Sequence, residues 1–312
     1  MFRQFNLAIS GKMSRGITED PENQISVLKA QLKDADAVLI GAGSGLSTAA
    51  GFTYSGERFE KYFGDFEKKF GIHDMYSGGF YPFPDQETFW AFWSRNIYIN
   101  RYVKATSDVY PDLLSLAKDK DYFVLTTNVD HQFQQAGFDK QRLFYMQGDY
   151  GLLQSVKPNA HKTYDNRDIV FRMMEAQGFL KDENGVFQVP EDGQLKMRVP
   201  KELIPVSPDD GSAMTLNLRC DDTFVQDRGW YAANHRYEDF VRRHENLRVL
   251  YLELGVGMNT PVWIKYPFWQ YTQENQKAFY ACINKGEAYC PKEIADRSVC
   301  IDRDIGEVLQ KI

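Results

Sequence analysis

The stretch Val38 to Phe52, VLIGAGSGLSTAAGF, leaves an unbroken apolar run for a turn punctuated by glycine, then continues in small residues that suit a helix. From Ala37 to Gly41 no polar position alternates with the apolar ones, the pattern of a strand buried on both faces of a parallel sheet. Glycines directly after such a strand let backbone approach a pyrophosphate without side-chain collision. The following helix start directs N–H groups and partial positive charge at the anion. The default ligand of this turn is a dinucleotide. Read as the dehydrogenase fingerprint GxGxxG it fails: Gly41 and Gly43 fit, but Leu46 holds the third glycine position. Nor does an acidic residue close a second strand about 20 residues on.

Outward from this stretch, Ile25, Leu28 and Leu32 recur at helical spacing and predict a helix feeding the first strand. Glu57 to Tyr102 reads as helical and aromatic, with Phe59, Tyr62, Phe63, Phe66, Phe70, Phe89, Trp90, Trp93 and Ile97 as core or lid. Tyr122 to Thr126 predicts a second buried strand, followed by a short helix from His131 that Gly137 caps, and Arg142 to Met146 a third strand. Lys157 to Trp230 is polar and punctuated by Pro and Gly, as in a small inserted module. Alternation then resumes, with helices at Tyr237 to His244 and Pro261 to Gln270, and strands at Arg248 to Leu254, Lys277 to Ile283 and Ser298 to Ile301. A last helix is opened by Asp304. The expected fold is α/β, a doubly wound parallel Rossmann-like sheet with a small inserted second domain. Residues 1–156 and 233–312 form the main domain, with a helical insert at about 57–105; residues 157–232 form the module.

Composition narrows the function classes. At 312 residues and 43% hydrophobic content the chain can bury a large core. A net charge of −6, with basic residues scattered, gives no electrostatic footprint for nucleic acid or an anionic membrane. The four cysteines, Cys220, Cys282, Cys290 and Cys300, form no CxxC pair and predict reduced thiols in a cytoplasmic protein. The N-terminal MFRQFNLAISGKMSRG lacks a sustained apolar segment, and no run of about 18 apolar residues occurs. A soluble protein is expected.

Taken from Gly43, the residues Gly43-Ser44-Gly45-Leu46-Ser47-Thr48-Ala49-Ala50-Gly51-Phe52 resemble the GAGxSxxxGI signature that opens sirtuins. Thr127-Asn128-Val129-Asp130 resembles the family's QNID sequence, which faces the nicotinamide ribose. Gly255-Val256-Gly257-Met258-Asn259-Thr260-Pro261 resembles the GTSLxVxP loop that holds the adenosine half. Ile283-Asn284 resembles the IN dipeptide, and Cys300 to Val308 falls where sirtuins place their last adenine-side strand and helix. The resemblance implies NAD as co-substrate, held by Ala42, Gly43, Ser44, Gly45, Leu46, Ser47, Asn128, Asp130, Gln147, Gly255, Val256, Gly257, Asn259, Thr260, Asn284 and Ile301.

The departures redirect the chemistry. Sirtuin deacylases carry a histidine in an HG dipeptide that removes a ribose hydroxyl proton; the equivalent Tyr145-Met146-Gln147-Gly148-Asp149 has Gln147. Glutamine can hydrogen-bond and orient, but it has no titratable proton near neutral pH and cannot act as a general base. Efficient deacylation is expected to be lost. Thr53-Tyr54-Ser55-Gly56 replaces the family's PDFR segment over nicotinamide, and Ile204 to Gly211 stands where a second zinc-binding CxxC would fall. The module is thus a degenerate zinc ribbon, and no metal is expected. Gln147, the stretch Asn217 to Asp222 and the FWAFW insert Phe89 to Trp93 are similar to class M sirtuins, the subclass linked to macrodomain proteins. That similarity implies NAD-dependent protein ADP-ribosyl transfer onto a lipoyl-bearing carrier related to the glycine-cleavage H protein, reversed by a partner macrodomain hydrolase.

Breaking the nicotinamide glycosidic bond gives the ribose oxocarbenium character, so the site must orient the ribose and nicotinamide and exclude water. Asn128 and Gln147 are the candidates for positioning ribose hydroxyls, and Asp130, by family analogy, for the nicotinamide carboxamide. An acceptor carboxylate attacks already ionised, so no histidine base is required. Each residue also has a plainer reading. Asn128 suits a turn or cap, Gln147 a strand end, Asp130 an N-cap and His131 a helix surface. His161, Asp209 and Asp210 suit a solvated loop. Two other functions use the same pocket: an NAD or ADP-ribose sensor, which would not need both Asn128 and Asp130, and an NAD glycohydrolase, marked by nicotinamide release without a protein acceptor.

Overall fold

The structure, a computed structural model, describes residues 11–157, 161–258 and 260–312. Its centre is a parallel sheet of six strands in the order Ser298–Ile301, Phe279–Ile283, Val249–Leu254, Ala37–Ala42, Asp121–Thr126, Leu143–Tyr145. The chain starts in the middle, winds to one edge, returns beside its starting strand and winds to the other. This is the doubly wound order expected from the alternation of strands and helices.

Every residue of Ala37–Ala42 and of Val249–Leu254 is buried, so alternate side chains feed opposite layers. Val38, Ile40, Leu250 and Leu252 enter one apolar core with Leu113 and Phe133. Leu39, Tyr251, Phe123 and Tyr280 enter the other with Phe268 and Trp269. The register pairs Ala42 with both Thr126 and Leu254, and Thr126 with Tyr145. The turns that follow these strands therefore lie along one edge.

A third core lies away from this sheet. Phe59, Phe63, Phe66, Trp90, Phe92 and Ile97 of the aromatic segment pack with Tyr150, Leu153, Met173, Met174, Phe187 and Leu216. Arg95 is wholly buried there: it bonds both oxygens of Asp65 at 2.7 and 2.9 Å and Gln177 Oε1 at 2.8 Å, and lies over the rings of Phe66 and Phe179. One guanidinium thus ties three helices, Glu57–Phe70, Gln86–Ile97 and Arg167–Gln177.

Several elements differ from the sequence expectation. The helix expected from Tyr237 runs Arg228–His244, because the Asp227 carboxylate accepts the Trp230 N–H at 2.7 Å and caps an earlier start. Pro261 to Gln270 divides into a 3-10 turn, Pro261–Trp263, and a helix, Lys265–Glu274. The small antiparallel sheet begins at Gly148, before the expected start of the module: Gly148–Ser155 pairs with Met214–Leu218. Between these strands lies the eleven-residue helix Arg167–Gln177, which the punctuated texture concealed.

Between the sheet and the helix Lys265–Glu274, Glu253 and Lys265 form an ion pair with neither side chain exposed. Tyr280 Oη donates to Glu253 Oε2 at 2.7 Å, and the Lys265 ammonium also faces the rings of Trp269 and Tyr289. Breaking such a pair strands a charge in the core. Lys265→Met is expected to lower stability by about 3–5 kcal/mol, read from the urea midpoint, and Glu253→Leu added to it is expected to recover a large part of the loss.

Candidate active site

The site is built on two loops that meet backbone to backbone. The Gly43 and Gly45 amides donate to the carbonyls of Leu254 and Gly255 at 3.0 and 2.9 Å. A Cβ on Gly45 would stand 2.7 Å from Gly255 Cα, and one on Gly255, whose φ is +63°, 2.5 Å from Gly45 Cα. Glycine is required on both sides of this contact. Beyond it the helix Ser44–Ala49 begins with an exposed Ser44, while Leu46 is fully buried in the core.

The next turn is fastened to the first. Ala42 O accepts from the Thr126 hydroxyl and the Thr127 amide at 3.0 and 3.1 Å, and Asn128 Nδ2 donates to Gly43 O at 2.9 Å. Asp130 is buried: its Oδ2 accepts from Ser47 Oγ at 2.5 Å and its Oδ1 from the Gln132 N–H at 3.2 Å. The Ser47 hydroxyl lies 3.4 Å from Tyr110 Oη. Burial is the largest influence on the Asp130 carboxyl and raises its pKa, against the hydrogen bonds from Ser47 and the Gln132 amide.

Gln147 ends the third turn, half-buried, and its carbonyl accepts from the Arg219 N–H at 3.0 Å. Gly148 has φ +96°, and a Cβ there would meet Asn217 O at 1.9 Å, so the strand after Gln147 lies tightly against Met214–Leu218, with which it pairs. Arg219 sits in a cage of Phe224, Trp230 and Trp263, with ring centroids 4.6, 5.6 and 5.6 Å from its Cζ. Its Nε is buried without a hydrogen-bond partner. A caged guanidinium with a donor unspent suits an anionic ligand. The Asn217 to Asp222 stretch carried this arginine, but only the folded module brings it beside Gln147. The segment in place of PDFR supplies Tyr54, whose hydroxyl lies 2.9 Å from that of Tyr150, and Trp93 of the FWAFW stretch stands 6.3 Å from the Tyr150 ring.

The remaining expected residues fall on the adjoining part of the edge. Val256 and Ile301 are fully buried, so their side chains serve packing; Gly257 and Thr260 are half-buried. Asn284 is buried, with Nδ2 donating to Val256 O at 3.1 Å. Asn259 lies outside the described residues. His131 Nδ1 lies 2.5 Å from Asp149 Oδ2, so its ring engages this carboxylate. His161 is exposed, while Asp209 bonds Lys162 and Tyr164, and Asp210 bonds Ser212. Among the described residues no three or more His, Cys, Asp or Glu side chains form a group able to hold a metal, and no helix is long and apolar enough to cross a membrane.

The sheet order and the polar side chains gathered beside a glycine turn define a nucleotide-binding α/β protein of the sirtuin fold. A Sir2 chain solved with a p53 peptide and NAD+ superposes with a TM-score of 0.58 over 92% of this chain and 96% of its own, at 17% identity. No protein-family profile matches. A protein ADP-ribosyltransferase of Staphylococcus aureus strain Mu50 is 34% identical over 295 residues, covering 94% of this chain and 88% of that protein. The chain belongs to this family, the sirtuin-fold ADP-ribosyltransferases, enzymes with NAD as co-substrate. A probable bifunctional ADP-ribose hydrolase/ADP-ribosyltransferase of Fusarium oxysporum f. sp. cubense is 29% identical over 308 residues, and this chain matches 48% of its length.

Because the native pKa of Asp130 is raised, the folded state holds this proton more tightly than the unfolded chain, and ionisation costs stability as pH rises past the usual aspartate value. Asp130→Asn keeps an acceptor for Ser47 and removes that cost. The variant is expected to melt above the wild type near pH 7, with the gap closing toward about pH 4. Melts across this range check it; a gap independent of pH would contradict a raised pKa.

Proposed function

We propose that this chain cleaves NAD at the nicotinamide glycosidic bond and transfers ADP-ribose to a lipoyl-bearing carrier protein related to the glycine-cleavage H protein, with little or no deacylation. The observation that carries this reading is Gln147, a side chain without a titratable proton near neutral pH, on the same sheet edge as Asn128 and Asp130 and joined by its backbone carbonyl to the Arg219 N–H. In this reading Asn128 and Gln147 orient the ribose hydroxyls, Asp130 meets the carboxamide, and Arg219 faces the anionic acceptor or phosphate. The glycine turn with Ser44 and Ser47, and the Gly255 to Thr260 loop with Asn284, hold the rest of the dinucleotide.

Without a base, the transfer step rests on positioning and on electrostatic stabilisation of the developing cation. An ionised acceptor carboxylate needs no proton removed. The carrier is supported by the similarity of Phe89 to Trp93 and Asn217 to Asp222 to class M sirtuins. A reversing macrodomain hydrolase is supported by the hydrolase function in the name of the Fusarium relative.

Incubation with labelled NAD and lipoylated carrier is expected to label the carrier in step with nicotinamide release. Gln147→Ala is expected to reduce transfer by about 10² or more without lowering the melting temperature. Asn128→Ala is expected to reduce it as far and also to cost about 1–3 kcal/mol of stability, because it strips the buried bond to Gly43 O. Nicotinamide release without carrier label would make the protein a glycohydrolase, and brisk deacetylation of an acyl-lysine peptide would refute the role given to Gln147.

A further inference from the structure

Arg101, Tyr102, His131, Gln134, Gln135 and Arg167 line a cavity of about 290 Å³, and none of them is among Asn128, Asp130 and Gln147. Its walls come from the end of the aromatic segment, the turn after Asp130 and the start of the helix Arg167–Gln177. We propose that this cavity is a second binding site, built for a carboxylate or phosphate group.

The polar groups are held in place before any ligand arrives. Asp149 is almost fully buried and its oxygens are spent: Oδ2 on His131 Nδ1, Oδ1 on Arg101 Nε and the Gly151 N–H, each at 2.7 Å or less. With Nδ1 committed, His131 has its second ring nitrogen for a ligand. Its backbone sits at φ 64°, in the left-handed region that a non-glycine residue adopts only when its surroundings impose it. Arg101 stacks on Tyr102, with Cζ 5.0 Å from the ring centroid. Gly151 gives Arg101 room, since a Cβ there would lie 2.8 Å from its Nε.

Arg167 carries the argument furthest. Its Cζ lies 4.5 Å from the Phe171 ring centroid and 5.5 Å from that of Tyr102, two aromatic faces that fix its plane. Asp165, the carboxylate beside it, accepts the Arg167 backbone N–H at 2.9 Å, and among the described residues no carboxylate pairs with the guanidinium. The charges facing the cavity are therefore Arg101, balanced by Asp149, and Arg167, unbalanced apart from exposed Asp165. An oriented guanidinium fork with its N–H groups unspent is the group that binds carboxylate or phosphate in bidentate fashion.

The test uses the full-length protein with ADP-ribose present throughout to occupy the nucleotide edge. Inorganic phosphate, acetate and short peptides bearing phosphoserine or glutamate are titrated at constant ionic strength, following the melting midpoint. A saturable rise is expected in the wild type and in Arg172→Gln, a charge-matched change on the same helix, with the midpoint concentration at least about tenfold higher in Arg167→Gln. His131→Gln is expected to weaken binding as well. Saturation by phosphate or acetate identifies a free anion as the ligand, and saturation by the peptides alone an acidic side chain of a protein. Absence of saturation by any probe, or equal affinity in wild type and Arg167→Gln, overturns the proposal.

Discussion

The structure depends on a contact between backbones. Gly43 and Gly45, after one strand, close against Gly255, after its neighbour, at a separation that leaves no room for a methyl group on either side. Two parallel strands fix the direction of the chain but not the height at which their loops end. Here that height is set by amide-to-carbonyl bonds across the glycines, and the rest follows in sequence. Gly43 presents its carbonyl to Asn128, Ser47 in the helix behind the turn meets Asp130, and Val256 presents its carbonyl to Asn284. The glycines are thus consumed in joining loop to loop.

This explains what was legible in the sequence. The strands could be read because both faces of the sheet are covered, which forces uninterrupted apolar runs. Asn128, Asp130 and Gln147 were picked out by the resemblance to sirtuin motifs, and they fall along one edge because parallel register aligns the strand ends. The module resisted the same reading. Its short strands are half covered, its helix Arg167–Gln177 takes its apolar partners from the distant aromatic segment, and its cohesion comes from packing between segments rather than from any local period. Arg219, the Tyr54–Tyr150 pair and the Asp149–His131 contact were hidden for that reason. Each joins residues that only the folded module brings together.

Buried charge is used in two ways. Glu253 on a sheet strand and Lys265 on the helix packed over it face each other, satisfied by Tyr280 and by aromatic faces. Arg95 joins three helices through Asp65 and Gln177. A guanidinium enclosed by ring faces and bidentate to one carboxylate admits few alternative packings of an otherwise oily cluster of phenylalanines. The aromatic segment buries its volume among apolar side chains, and Arg95 is one of the polar ties that orient it.

Gly148 has a consequence for how substitutions elsewhere will be felt. Gln147 lies with Met146 between the edge strand of the parallel sheet, Leu143–Tyr145, and the antiparallel strand Gly148–Ser155, which opens on a left-handed glycine. Its coordinates therefore answer to two cores at once, one beneath the sheet and one shared by the module and the aromatic helices. Side chains far from the glycine turn, such as Met173 or Phe187, have a mechanical path to this position that does not pass through the nucleotide-side loops. A substitution in that remote core therefore reaches the position of Gln147 through packing as well as through the stability of the fold.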